Sequence, residues 1–275
     1  MGLVMSLEDL AIDAAKQAGR LLATMQDSIN PREKAPKDLV TEADVASQKR
    51  IFEIIAEARP TDFFLGEEDL TAESELPGLK RTVGASTDLT ELKYCWVIDP
   101  LDGTANYVHK LQTYSVSIAL LNYGDPIVAV VYDPVMDDCY SATRGEGARV
   151  NGDPIEHSGV EELSRALVAA SFSAGVERGS PEVDRWVEML YECQALRRLG
   201  SAALNLCYVA QGGLDGYWAT SVKIWDIAAG ILIVREAGGT ITSFDGGPVR
   251  IQEAKFIAAA TKKLHKQMFE VFNRL

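Results

Sequence analysis

Histidine is the scarcest reactive residue in this chain: His109, His157 and His265 are the whole supply among 275 residues. So few imidazoles allow no convincing Ser-His-Asp set, and nucleophilic catalysis of that type is set aside. His265 falls in a lysine-rich C-terminal helix and is expected to be solvated. His109 follows the central motif described below and could reach a site there, but a loop histidine is read first as a bystander. Cysteine is nearly as sparse. Cys95, Cys139, Cys193 and Cys207 are scattered, form no CxxC pair and have no histidine at ligand spacing, which argues against zinc. Cys95 and Cys207 lie in apolar runs and read as reduced core thiols. Positive charge is short too. Lys and Arg total 27 against 40 Asp and Glu, a net charge of −13, which argues against non-specific binding to nucleic acid or an anionic membrane. An acidic protein with an anionic substrate needs a cation locally. No apolar run reaches the ~18 residues of a membrane span, and the N-terminus lacks the basic and apolar regions of a signal peptide. The expectation is a cytoplasmic protein without a membrane partner.

What is present is an ordinary globular composition, 47% apolar and 24% charged, long enough for one large domain or two closely packed lobes. The stretch around which the rest is organised runs from Trp96 to Tyr107, Trp-Val-Ile-Asp-Pro-Leu-Asp-Gly-Thr-Ala-Asn-Tyr. It starts as a β-branched and aromatic strand, is expected to break at Asp99-Pro100, and turns at Gly103. Asp99 and Asp102 leave the strand end together. Two acids so close repel unless a cation lies between them or one is protonated, and carboxylate and carbonyl oxygens suit Mg²⁺. The backbone N–H groups of Gly103 and Thr104 and the Thr104 hydroxyl follow at once, donors suited to a phosphate oxygen. Metal acids followed by phosphate donors point to metal-assisted phosphoryl chemistry. An ordinary turn with solvated acids is the alternative.

Three further acidic segments bear on that choice. Asp44 stands at the third position of a helix capped by Thr41 and running to about Arg59, with Ile51, Ile54, Ile55 and Ala58 on its apolar face; a capping box accounts for it equally well. A short strand, Phe63-Phe64-Leu65, ends in Gly66-Glu67-Glu68-Asp69, where mutual repulsion invites a cation. Asp226 lies in the first turn of the apolar helix 224–237, where the helix dipole or a metal could compensate it. The remaining pattern predicts an amphipathic helix over residues 6–28, a polar loop or lid over 70–93, and an antiparallel meander over 114–143. After a boundary near 150–162, strands alternate with helices. Residues 1–155 thus read as a lobe of two helices on a mostly antiparallel sheet carrying most of the acids, and 156–275 as an α/β lobe carrying Asp226 and the substrate contacts.

These segments resemble the inositol monophosphatase family of Mg²⁺-dependent, lithium-sensitive phosphatases. The match covers Asp38–Asp44, Gly66-Glu67-Glu68, Trp96–Tyr107, Gly200-Ser201-Ala202-Ala203, Trp225–Gly230 and Glu236–Gly239, in the family's order. The resemblance implies an α+β fold, a layered αβαβα sandwich. It implies metal ligation by Glu67, Asp99, the Leu101 carbonyl and Asp102, with Asp226 completing a second position. Thr104 and Asp44 resemble the pair that positions and deprotonates the attacking water, assisted by Glu67. Gly103, Thr104, Gly200, Ser201, Ala202 and Ala219 map to substrate or phosphate contacts. Ala219 is a departure, since inositol-selective members carry a Glu there, and losing a hydroxyl acceptor should redirect specificity. Lys223 nearby either is solvated or meets a second anionic group. The reading is a phosphomonoesterase with Mg²⁺ as cofactor, acting on a small phosphorylated metabolite, with inositol monophosphate first. Fructose 1,6-bisphosphate, histidinol phosphate and 3′-phosphoadenosine 5′-phosphate follow. A homodimer is implied by the family and direct nucleic-acid contact is not expected. A regulatory binding protein on the same fold is the alternative of another class.

Overall fold

Strand Cys95–Asp102 is buried along its whole length, and its two faces feed two separate cores. Cys95 and Val97 pack inward toward the second sheet, whereas Trp96 and Ile98 pack under the first helices. A strand covered on both sides needs apolar side chains at every position, which is why the sequence shows a continuous run there instead of alternation. Burying each large side chain contributes about 1.5–3 kcal/mol. The Trp96 indole N–H is satisfied by Asp62 Oδ2 at 3.0 Å.

The computed structural model describes residues 5–35, 38–68, 81–173, 175–253 and 255–274. In chain order the elements are α1 (Leu7–Met25), the hairpin β1 (Arg32–Ala35) and β2 (Asp38–Val40), α2 (Glu42–Ala58), β3 (Phe63–Gly66), β4 (Cys95–Asp102), α3 (Thr104–Val108), β5 (Ser115–Asn122), β6 (Asp125–Asp133), β7 (Asp138–Thr143), β8 (Ala148–Val150) and β9 (Asp153–Pro154). Then follow β10 (Leu167–Ser171), α4 (Pro181–Glu192), β11 (Ala195–Arg197), α5 (Ala202–Gln211), β12 (Gly216–Ala219), α6 (Ile224–Glu236), β13 (Thr240–Ser243), β14 (Phe256–Ala259) and α7 (Lys262–Phe272).

Strands β3 to β9 form a seven-stranded sheet in sequence order, antiparallel except for the β3–β4 pair. A five-stranded sheet has the order β11-β10-β12-β14-β13. Helices α1 and α2 cover the outer face of the first sheet, α5 and α6 lie between the sheets, and α4 and α7 cover the second. This is the αβαβα sandwich. The central core between the sheets draws on both halves of the chain, from Val97 and Val131 to Leu206, Ile231 and Phe256.

Several expectations are corrected. The central strand does not break at Asp99-Pro100 but continues to Asp102. A bulge takes up the irregularity: Asp99 pairs with Ser117 and Asp102 with Ser115, so one extra residue is absorbed at Pro100-Leu101, where proline offers no N–H to the ladder. Ala58 ends α2 exposed instead of joining its apolar face. His265 is not solvated. It is 8% exposed and pairs with Thr242 Oγ1 at 2.9 Å, and burial lowers its pKa. The hairpin β1–β2, the short helix α3 and strands β8 and β9 escape a periodicity reading because each is too short to show one. Of the 70–93 loop, residues 70–80 lie outside the described residues, as does Asp69. The remainder includes a Thr82–Phe64 bridge and a 3₁₀ turn over Leu89–Glu91. No described helix is long and apolar enough to cross a membrane.

Candidate active site

The bulge at the end of β4 delivers Asp99 and Asp102 to one place, and three other elements meet it there. Parallel pairing of β3 with β4 sets Gly66 beside Ile98, and the Glu67 N–H donates to the Ile98 carbonyl at 3.1 Å. Glu67 therefore emerges at the same sheet end as Asp99. Gly66 has no room for a side chain, because a Cβ would come within 2.3 Å of Gln48 Oε1. The Gln48 amide clamps the Glu68 backbone, accepting from its N–H at 3.0 Å and donating to its carbonyl at 2.6 Å. Ser47, next on α2, donates to the Pro100 carbonyl at 2.7 Å and fixes the bulge.

Helix α2 also carries Asp44. The capping box is real: Thr41 N–H and Oγ1 donate to Asp44 Oδ2 at 2.8 and 2.6 Å. The other oxygen, Oδ1, accepts from Thr104 Oγ1 at 3.2 Å. Capping and site chemistry thus use different oxygens of one carboxylate, and neither reading of the sequence excluded the other. Thr104 Oγ1 lies also 3.1 Å from the Leu101 carbonyl. Before it, Gly103 adopts φ +91°, and a Cβ there would stand 3.0 Å from the Thr113 carbonyl and 3.3 Å from that of Gly200. Asn106 completes this corner by donating to the Thr113 and Leu199 carbonyls at 2.7 and 2.8 Å.

Asp102 points at the start of α5. It accepts from the Ser201 hydroxyl, from the Ala202 N–H at 3.1 Å and from the Ala203 N–H at 2.8 Å. The sequence reading gave Ser201 and Ala202 to the substrate. In the structure both are donors to Asp102, with Ser201 fully buried, while Gly200 is exposed beside them. Ala219 closes β12 with no exposed surface and belongs to the central core. Asp226 is half-buried at the start of α6, accepting from the Lys223 N–H at 2.8 Å. The Ser117 hydroxyl ties this helix start to β5 through the Trp225 carbonyl at 3.2 Å.

These carboxylates sit in one another's field. Burial, then the Glu67, Asp102 and Asp226 charges, raises Asp99 well above the usual carboxylate range. Burial dominates at Asp102 as well, pushing it up to about 6 against the pull of its α5 donors. Asp226 is pushed up to about 8, by burial first and the Asp102 charge next. Asp44 is raised by burial, against its bonds to Thr41. A cation faces the group. Lys34, from β1, bonds Glu67 Oε1 at 3.0 Å and also Glu68. Burial pulls Lys34 down, but the two glutamates outweigh it and raise its pKa. Among the described residues no three His, Cys, Asp or Glu side chains stand as a finished metal cage. The reason is visible: Asp102 is turned to α5 and Glu67 to Lys34. Nothing in the sequence signalled Lys34, Ser47 or Gln48, which lie in polar or ordinary helical stretches, whereas Asn106 sits within the central motif, where the sequence reading gives it no role. His109 is exposed and makes no hydrogen bond to the site residues. A cleft of about 440 Å³ lies beside Glu67 and Glu68, between Thr82–Ala85 and Trp225, and of the acids grouped above Glu67 alone lines it.

The sequence model of the inositol monophosphatase family matches residues 4–275. The chain belongs to the inositol monophosphatase family. A relative named Nus factor SuhB, from Pasteurella multocida, is 38% identical over 258 residues, 92% of this chain and 91% of the relative. One named inositol-1-monophosphatase, from Mesorhizobium japonicum, is 34% identical over 265 residues, again 92% and 91% of the two chains. A solved structure described as an IMPase/NADP phosphatase complexed with Mg²⁺ and phosphate superimposes with a TM-score of 0.79 at 27% identity, covering 94% of this chain and 92% of that one. The fold expectation, including its sandwich of layers, holds.

Proposed function

We propose that this member of the family is a Mg²⁺-dependent phosphomonoesterase acting on a small phosphorylated metabolite, with inositol monophosphate the first substrate to test. The observation that carries the reading is the Thr104–Asp44 hydrogen bond set against buried acids that raise one another's pKa. Hard oxygen donors whose charges are left uncompensated fit a divalent cation. Glu67, Asp99, Asp102 and the Leu101 carbonyl would hold it, and Asp226 a second one, once Glu67 exchanges Lys34 for metal. Bound Mg²⁺ lowers the pKa of water and neutralises phosphate oxygens.

The chain's own groups supply the rest. Thr104 Oγ1 orients the attacking water and relays its proton to Asp44, whose raised affinity for a proton suits a base. The Gly103 and Thr104 N–H groups receive the phosphate oxygens. As the bond from water oxygen to phosphorus forms, the bond to the alcohol oxygen breaks, and a proton returns to that alkoxide. Nothing covalent is left on the protein, in agreement with four buried cysteines and no activated histidine or serine among the site residues.

Phosphate release from inositol 1-phosphate, fructose 1,6-bisphosphate, histidinol phosphate, 3′-phosphoadenosine 5′-phosphate and NADP, each with Mg²⁺, with chelator and with lithium, tests this. The expected result is release that needs Mg²⁺ and falls with lithium. Release that survives complete chelation, or none from any compound, overturns it.

The Nus factor name of a 38%-identical relative favours one second reading, a protein acting mainly through a macromolecular partner. A partner retained in full by an Asp99→Asn variant without turnover would support that. The homodimer implied by the family is part of the main proposal and is checked by sedimentation.

A further inference from the structure

Helix α2 turns three polar side chains to the site from one face. Asp44, Ser47 and Gln48 stand at i, i+3 and i+4, the spacing that puts residues on a common side of a helix. All three are fully buried, and Ile51 and Ile55 continue the same face as core. A polar group buried at the end of an apolar stripe is costly unless it is hydrogen-bonded. Asp44 meets Thr104 and Ser47 meets the Pro100 carbonyl. Gln48 spends its amide on the chain beside Glu67.

That amide uses both of its poles on one residue. Its Oε1 accepts from the Glu68 N–H at 3.0 Å and its Nε2 donates to the Glu68 carbonyl at 2.6 Å. A carboxylate has no donor for the second bond and an ammonium no acceptor for the first, so a neutral amide is the side chain this place needs. On the other flank the Glu67 N–H donates to the Ile98 carbonyl at 3.1 Å. The peptide units before and after the Glu67 Cα are therefore both pinned, which fixes the direction of its Cα–Cβ bond. The carboxylate beyond is free to turn: it is 20% exposed and held at 3.0 Å by Lys34. The opposite wall of the clamp is Gly66. A Cβ there would overlap the Gln48 amide, so the amide fills the space that a side chain in β3 would take.

We propose that Gln48 is a positioning residue for the metal, setting its affinity through the backbone of Glu67 and Glu68 without touching the ion, and that Gly66 is required to leave room for the Gln48 amide. The inference deepens the phosphomonoesterase reading and rests on its metal, not on its substrate.

Calorimetric titration of Mg²⁺ alone into metal-free protein tests it, with a melting curve for each variant. Losing the outer partner of a metal ligand weakens binding about 10–100-fold, and that loss is expected for Gln48→Ala and for Gln48→Met, which keeps the length and removes both poles. Gly66→Ala pushes the amide out of its clamp and should weaken Mg²⁺ binding by a similar factor. The double variant Gln48→Ala/Gly66→Ala should be no weaker than either single one, because all three lose the same two hydrogen bonds. In turnover of inositol 1-phosphate the Mg²⁺ concentration for half-maximal rate should rise by the same factor, with KM and kcat at saturating Mg²⁺ little changed. A purely structural role would lower Tm and leave the Mg²⁺ affinity of the folded protein at the wild-type value. That result, or losses that multiply in the double variant, overturns the proposal even if phosphate release proves Mg²⁺-dependent. If the variants bind Mg²⁺ weakly as expected but the wild type releases no phosphate, the phosphatase reading fails alone. If the wild type binds no Mg²⁺, both fall.

Discussion

Thr104 donates its hydroxyl to Asp44 Oδ1 over 3.2 Å, joining residues 60 positions apart. One comes from the turn that ends the central strand, the other from the cap of α2. Removing the hydroxyl should remove the water's proton path and leave the packing alone. Thr104→Ala is expected to lower kcat about 10²–10⁴-fold with little change in KM or Tm, while Thr104→Ser retains most activity. Steady-state phosphate release and a melting curve check both. Unchanged turnover in Thr104→Ala would leave the acids as structural staples only.

Asp99 is buried with neighbours of its own sign. Replacing it by Asn removes the repulsion and keeps the shape. In the absence of metal, Asp99→Asn should melt at or above the wild-type temperature, yet release no phosphate and show a smaller Mg²⁺-induced rise in Tm. A variant that melts well below wild type without metal would show that the Asp99 charge is compensated by something else.

The same crowding sets a pH dependence. Asp102 and Asp226 are raised to about 6 and about 8 in the fold, against about 3.9 in an unfolded chain. A raised carboxyl favours the folded state while protonated, so its contribution is complete below the unfolded value and is lost as pH climbs through the folded one. Metal-free protein should therefore lose Tm progressively from about pH 4 to pH 8, with a limiting slope of about 1.4 kcal/mol per pH unit per group. The partial exposure of Asp226 makes its share smaller. Saturating Mg²⁺ should flatten the profile and chelator restore it. A Tm that rises over this range would contradict the charge clustering.

Gly103 and Gly200 face each other with φ near +90°. A Cβ on Gly200 would come within 2.7 Å of the Asn106 amide, and one on Gly103 within 3.0 Å of the Thr113 carbonyl. Gly103→Ala and Gly200→Ala should each cost about 1–3 kcal/mol, read as a lowered denaturant midpoint at unchanged slope. The Gly103 change, which meets rigid backbone, should also depress turnover.

All four cysteines are buried. Burial pushes the Cys95 thiol up to about 12 and also raises Cys207 well above the ordinary thiol range. The native protein should react slowly with an aromatic disulfide reagent at pH 8 and expose all four thiols on denaturation, with no loss of activity from brief native treatment. Rapid native labelling would mean that the core opens readily.

The sequence by itself determined the main helices, the meander and the identity of the acids. Helical and strand periods are local, and an acid-proline-acid-glycine run after an apolar strand has few chemical uses. Only tertiary structure decided what each polar group faces. Asp44 both caps and bonds Thr104 because β4 ends over α2. Ser201 and Ala202 serve Asp102 because α5 begins against the bulge. His265 is buried because its neighbours on α7 turn it toward Thr242. Lys34 meets Glu67 because a short hairpin folds over the site. Each of these depends on contacts between residues far apart in the chain, and no period or spacing encodes the direction in which a buried carboxylate finds its donor.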